Sequence, residues 1–107
     1  MIDRLRASLE RYANPSAREN MLVDLDAFDR NTRRLCDIAR GADMTLRVAS
    51  KSVRVPALLH RVMELGGHTT RGLMCFSARE AGYLAGEGFD NLLIAYPSVQ
   101  PADLEVL

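Results

Sequence analysis

The residue with the clearest chemical potential in this chain is Lys51, which ends a short apolar segment. Residues 44–51 alternate in character with the two-residue period of a β-strand, which places Lys51 and Arg47 on one face. Strands flanked by helical patterns are usually buried on both faces, and burial lowers the pKa of a lysine by disfavouring its charged form. The pattern therefore predicts an amine that can attack a carbonyl group. From the strand alone, the simpler interpretation is a strand-end lysine that points into water.

Three other side chains accompany this lysine. Arg47 lies about 13 Å from Lys51 at ~3.3 Å per residue, where it can keep the amine neutral by repulsion or pair with a carboxylate. Arg54 follows the lysine closely and can meet an anionic group, although a solvated loop arginine is the simpler interpretation. Tyr96 ends the apolar run 92–96 and is predicted to lie in the core with its hydroxyl at the rim.

The elements before Lys51 begin with an amphipathic helix over residues 2–13, which Pro15 stops. Residues 21–25 are predicted to form a short strand, followed by a helix that Asp26 caps and Gly41 ends. The predicted buried stripe of that helix consists of Phe28, Leu35 and Ile38.

The elements after Lys51 alternate between helix and strand. Pro56 opens a helix that stops at Gly66, residues 73–76 form the next strand, and Ser77 with Glu80 forms a capping box. A third strand covers residues 92–96, and another helix starts near residue 101. Repeated βα units predict an α/β fold with parallel strands, whose functional groups gather at the carboxyl ends of the strands. Two forms fit: a small open sheet, or the N-terminal part of a (β/α)₈ barrel, and the pattern at residues 98–107 favours the barrel.

Composition excludes several classes of protein. The 107 residues carry 14 basic and 14 acidic side chains without a basic patch, which argues against a nucleic-acid partner. No apolar run is long enough for a membrane span and no signal peptide is visible, so a cytoplasmic location is expected. Cys36 and Cys75 are predicted to be reduced core residues, and His60 and His68 lack metal-site spacing, so no metal ligand is predicted.

Four segments in this order resemble the alanine racemase N-terminal domain family of fold-type III enzymes, in particular its D-threonine aldolase and D-serine dehydratase-like branch. They are the entry segment 21–31 with its Asp-Leu-Asp-Ala pattern, the strand 46–51, the segment 76–81, and the segment 88–97. The predicted domains are an N-terminal helix and linker over residues 1–19 and a barrel part over residues 20–107, and the resemblance covers about residues 20–104. It implies the front, incomplete part of a TIM barrel that binds pyridoxal 5′-phosphate (PLP).

The family resemblance also implies roles for individual residues. Lys51 would form the Schiff base with PLP and act as a base, Arg47 and Tyr96 would contact the cofactor, and Arg54 would bind the substrate. The implied function is a PLP-dependent lyase or deaminase acting on D-amino acids, expected to form a homo-oligomer. Family members that use a divalent metal take its ligands from outside these residues. The chain alone is expected to bind PLP weakly and to be inactive.

Departures from the family pattern keep alternatives open. Ala49 stands where the aldolase branch often has a histidine, and the stretch after Lys51 lacks the tyrosine of the alanine racemases. A racemase is therefore less favoured than an aldolase, dehydratase or deaminase. A second alternative is a non-catalytic PLP-binding protein of the same barrel fold, and a third is a truncated chain without activity.

Overall fold

The computed structural model of the chain describes residues 1–12 and 21–106. These residues fall into two compact units, Met1–Asn31 and Thr32–Leu107. The predicted end of the first helix at residues 14–16 and the predicted domain boundary between residues 19 and 20 lie outside the described residues. The described helices are α1 (Ile2–Tyr12), α2 (Leu25–Gly41), α3 (Ser50–Val53), α4 (Pro56–Gly66), α5 (Ala78–Gly86) and α6 (Pro101–Leu104), with a 3₁₀ turn at Gly67–Thr69. The described strands are β1 (Leu46–Ala49), β2 (Thr70–Cys75) and β3 (Leu92–Ile94).

The unit Met1–Asn31 corrects two predictions about the start of α2. Residues 21–24 are not a strand, and Met21 is 93% exposed. Asp24, rather than Asp26, caps the helix: its Oδ1 accepts from the Ala27 N–H at 3.0 Å, and its carbonyl accepts from the Phe28 N–H. Asp26 lies in the first turn, where it accepts a hydrogen bond from Arg4 at 3.0 Å. The helix begins earlier than predicted because Asp24 supplies the oxygen that its first free amides need.

The unit Thr32–Leu107 contains a sheet whose described strands run parallel in the order β1-β2-β3. Helices α3 and α4 connect β1 to β2, and α5 connects β2 to β3, so the predicted parallel βα units are confirmed. Ala49, Met74 and Leu93 are aligned across the three strands. The carboxyl ends of the strands therefore lie side by side at one edge of the sheet.

The core of this unit lies between the sheet and the two longer connecting helices. Leu73 and Cys75 of β2 are fully buried against Leu59 of α4 and Leu84 of α5. Further residues that pack against this cluster are Val48, Val53, Met63, Leu92 and Ile94. Residues that alternate with these along the strands, such as Leu93, lie on the opposite face of the sheet.

Two of the three residues in the predicted buried stripe of α2 are wrong, whereas Phe28 is half-buried. Leu35 and Ile38 are exposed, at 58% and 60%, whereas the buried positions are the smaller side chains Thr32, Cys36 and Ala39. These three residues are spaced by four and three positions, so they also lie on one face of the helix. The prediction chose the neighbouring face because its side chains are more hydrophobic. In the described part of the chain, every helix is too short or too polar to cross a bilayer.

Candidate functional site

The carboxyl edge of the sheet brings together three short segments that follow the strands. Ser50 and Lys51 come directly after β1, Phe76 and Ser77 follow β2, and Tyr96 follows β3. The Ala95 N–H donates to the Cys75 carbonyl at 2.8 Å, which keeps the chain after β3 beside the end of β2. This edge is where parallel α/β proteins place their functional groups.

Lys51 lies at this edge, in the exposed one of the two environments that the sequence allowed. Strand β1 ends at Ala49, and Lys51 is the second residue of the one-turn helix α3. Its side chain is exposed, as in the interpretation of a strand-end lysine that points into water, because the strand alternation stops before it reaches Lys51. Among the described residues, the Lys51 ammonium group has no hydrogen-bond or ion-pair partner.

Lys51 is also distinguished by the composition of the sequence, independently of the strand pattern. Lys51 is the only lysine in the sequence, and all the other 13 of its 14 basic residues are arginines. Apart from the α-amino group of Met1, Lys51 therefore carries the only primary amine of the chain. Covalent chemistry of an amine can be assigned to it without ambiguity.

Ser50 is a site residue that the sequence pattern did not identify as functional. Ser50 begins α3, and only 1% of it is exposed. The Ser50 hydroxyl donates to the Met74 carbonyl of β2 at 3.2 Å. A buried hydroxyl needs such a partner, and this bond attaches the start of α3 to the neighbouring strand.

Arg54 ends α3 in an unusual conformation. Its backbone lies in the left-handed region, with φ 45° and ψ 17°, which is uncommon for a residue with a side chain. The Arg54 N–H donates to the Ser50 carbonyl at 2.8 Å, and the Arg54 Nε donates to the Lys51 carbonyl at 3.1 Å. The residue predicted to meet a substrate thus also contacts the backbone of the predicted reactive lysine.

A cleft of about 260 Å³ opens beside α3. Its floor is apolar, its walls include exposed aromatic rings, and Arg54 and Glu80 contribute opposite charges. Its lining residues are Ser50, Arg54, Pro56, Leu59, Phe76, Glu80, Tyr83 and Leu84. A cleft with one cation, one carboxylate and an apolar floor suits a small molecule that carries charged and apolar parts.

Glu80 is held in this cleft by the predicted capping box of α5, which is confirmed. The Glu80 N–H donates to the Ser77 hydroxyl at 3.2 Å, and the Glu80 carboxylate accepts from the Phe76 N–H. Nearby, burial raises the pKa of the Cys75 thiol, with the Glu80 charge as the second cause. Cys75 is therefore kept as a neutral core residue, in agreement with its predicted role.

Arg47 lies on the predicted face of β1, but its guanidinium group spans the sheet. Its Nη2 donates to the Asn91 side chain at 2.8 Å, and its Nη1 donates to the carbonyls of Asn91 and Leu73. The sequence allowed Arg47 to pair with a carboxylate, but its acceptors in the structure are these carbonyl oxygens. Arg47 therefore ties β1 to the segment that precedes β3.

Tyr96 does not lie in the core, contrary to the prediction. Strand β3 ends at Ile94, and Tyr96 is 58% exposed with its ring edge-on to Phe76 at 5.2 Å between centroids. The predicted strand is too long because Ala95 and Tyr96 continue the apolar run without pairing as a strand. The aromatic pair stands at the carboxyl edge of the sheet, where Phe76 also lines the cleft.

No group of three or more potential metal ligands exists among the described residues. The residues predicted to form the site do not all contact one another. Arg54 contacts Lys51 directly, Arg47 contacts Asn91, and Tyr96 contacts Phe76.

The fold of this chain is similar to that of a known enzyme. The crystal structure of D-threonine aldolase from Filomicrobium marinum superposes with a TM-score of 0.72 and 36% sequence identity over 79% of this chain. The chain spans 22% of the length of that enzyme. A comparison with protein-family models and with curated proteins finds no match. The likeness confirms the predicted α/β fold class and is consistent with parallel strands that form part of a barrel.

Proposed function

We propose that this chain carries the reactive lysine of a PLP-dependent enzyme that acts on D-amino acids. The observation that carries the proposal is the position of Lys51, the only lysine, at the carboxyl end of β1 in a fold shared with D-threonine aldolase. An aldolase, a dehydratase and a deaminase all fit this proposal. A racemase and a non-catalytic PLP-binding protein are its alternatives.

The residues at this edge fit the aldehyde end of PLP. The Lys51 amine is exposed and unpaired among the described residues, so an aldehyde can approach it without breaking an existing contact. When bound, PLP supplies a ring that takes up the electrons of the bond broken at the amino acid Cα. Lys51 and Tyr96 are the proposed contacts. Arg47 is proposed as a third, through N–H groups other than those that bind Asn91 and Leu73.

The protein groups then have separate tasks. Lys51 binds the aldehyde and, once released from it, holds or transfers a proton at its Nζ atom. Arg54 is proposed to attract the carboxylate of the amino acid, because its guanidinium lines the cleft next to α3. The apolar floor formed by Leu59 and Leu84 excludes water from part of that cleft.

Reductive trapping tests the role of Lys51. The folded chain is mixed with PLP, treated with borohydride, and digested, and the modified peptide is identified by mass spectrometry. We expect the adduct at Lys51 to form faster in the folded chain than in the same chain in urea, relative to the adduct at Met1. The Lys51→Arg variant keeps the positive charge and should carry an adduct only at Met1. Equal trapping of both amines in the folded and urea-treated chains would refute the proposal.

The reaction type is tested on the polypeptide in the full length that its gene encodes. With PLP and D-threonine, an aldolase releases glycine and acetaldehyde, whereas a dehydratase or deaminase releases ammonia and a keto acid. A racemase inverts Cα only and forms L-allothreonine instead. Retention of PLP without any of these products would favour the non-catalytic alternative.

A further inference from the structure

The turn that carries Lys51 contains a backbone conformation that its own sequence does not favour. A residue with a side chain pays about 1 kcal/mol or more to occupy the left-handed region, and the surrounding structure must enforce it. Arg54 adopts this conformation three residues after Lys51, although Gly would do so more readily. Non-glycine residues held in this way cluster at functional sites, so the position calls for a functional explanation.

We infer that Arg54 is a positioning residue for Lys51: its Nε atom and left-handed backbone close α3 and hold the lysine at the sheet edge. This inference rests on the proposed function, because it assigns Arg54 a second task in the same site. It concerns the Nε atom, whereas the proposed attraction of a substrate carboxylate depends on the charge of the whole guanidinium group.

The short length of α3 supports this role. A helix of four residues is not stable on its own, because forming one turn restricts several residues and gains very few hydrogen bonds. Contacts at its two ends must therefore stabilise it. At the start, the Ser50 hydroxyl bonds to the Met74 carbonyl of β2. At the end, the Arg54 N–H bonds to the Ser50 carbonyl, and the Arg54 Nε bonds to the Lys51 carbonyl.

The freedom of the Lys51 side chain also supports this role. Lys51 is exposed and unpaired among the described residues, so its side chain receives no direction from hydrogen bonds of its own. Among the described residues, the hydrogen bonds of Lys51 involve only its backbone, so the position of this backbone sets where the side chain begins. Because reaction rates depend steeply on the placement of the reacting groups, the contacts that hold this backbone affect the chemistry of the amine.

Two substitutions distinguish the effect of the Arg54 Nε hydrogen-bond donor from the effect of the Arg54 positive charge. Arg54→Gln places an amide nitrogen at the same number of bonds from Cα as Nε, so a donor remains while the charge is lost. Arg54→Met has a similar length without donor or charge. Arg34→Met is the matched control, because it removes an exposed positive charge from α2.

The first measurement is hydrogen exchange of the residue 54 amide, which needs no cofactor. This amide closes α3 onto Ser50, so its exchange reports how often the turn opens. We expect Arg54→Met to accelerate exchange about tenfold, as loss of a hydrogen bond from a charged donor implies, with Arg54→Gln closer to the parent chain. Arg34→Met should leave the rate unchanged.

The second measurement is trapping of PLP at Lys51, with the melting temperature recorded for each variant. Positioning predicts that Arg54→Gln retains most of the trapping rate and that Arg54→Met loses it, at similar melting temperatures. Equal loss in both variants with unchanged amide exchange would overturn the inference and assign Arg54 to charge alone. Absence of specific trapping in the parent chain would instead refute the proposed function, and the exchange result would still decide whether Arg54 holds the turn.

Discussion

At the scale of single residues, the contact between Arg47 and Asn91 depends on Gly72 in the strand between them. Strand β2 has an extra residue opposite Arg47, because Leu46 pairs with Thr70 whereas Val48 pairs with Leu73. Gly72 lies in this bulge with φ 78°, a conformation that side chains rarely adopt. A Cβ atom at Gly72 would lie 2.1 Å from the Asn91 carbonyl oxygen, which is an acceptor for Arg47.

Gly72→Ala should therefore destabilise the chain by about 2 kcal/mol or more, since it adds backbone strain and a clash with backbone atoms. The free energy of unfolding, measured by urea denaturation, tests this expectation. Gly86→Ala is the matched control, because Gly86 ends α5 with open space around its Cβ position. Gly86→Ala should leave the free energy of unfolding unchanged or slightly higher. A similar loss of stability in both variants would contradict the role given to Gly72.

The site could be predicted from the sequence only in part, also for reasons that operate at single residues. Lys51 was found because its position after an apolar strand is local information. The strand pattern alone does not decide between burial and exposure of Lys51, and the exposure follows from α3, which interrupts the strand alternation two residues before the predicted end. The contacts of Arg47 and the conformation of Arg54 depend on carbonyl groups brought close by folding, and the sequence contains no local pattern for them.

At the scale of secondary structure, the elements with explicit end signals were predicted best. Pro56 starts α4 and Ser77 caps α5 as expected, because each signal acts on amides within a few residues. The predicted strand at residues 21–25 has no such signal, and its apolar residues lie outside any strand in the structure. An apolar run shows that a segment is able to form a β-strand. Whether it does so depends on a neighbouring strand, which the run itself does not specify.

The cap of α2 gives a pH-dependent prediction. The pKa of Asp24 lies below its usual value, chiefly because its carboxylate accepts the Ala27 N–H hydrogen bond. A lowered pKa in the folded chain means that the cap stabilises α2 above the ordinary value of 3.8, and that this stabilisation is lost as the pH falls through the folded pKa. The amide shift of Ala27 should titrate with a midpoint below 3.8.

Asp24→Asn is the control for this titration, because the amide oxygen can still cap the helix but does not ionise. Its Ala27 amide shift should stay flat over the same pH range. A midpoint at or above the ordinary value in the parent chain would show that the carboxylate does not form this bond in solution.

At the scale of the whole molecule, the sheet presents two different faces. One face packs against α4 and α5 through Leu73 and Cys75. On the other face, Leu93 is 50% exposed in the row that it shares with Ala49 and Met74. Strands β1 and β3 each pair on one side only among the described residues. Exposed apolar area and unpaired strand edges both favour association with another chain.

We therefore expect this chain on its own to associate with itself through the face that carries Leu93. Sedimentation velocity over a range of protein concentrations measures this association. Leu93→Glu should weaken it, because like charges and their hydration oppose burial of the face. Val99→Glu is the matched control, since Val99 is 87% exposed in the segment between β3 and α6 and lies outside the sheet. Equal weakening by both variants would mean that added negative charge, rather than this face of the sheet, controls association.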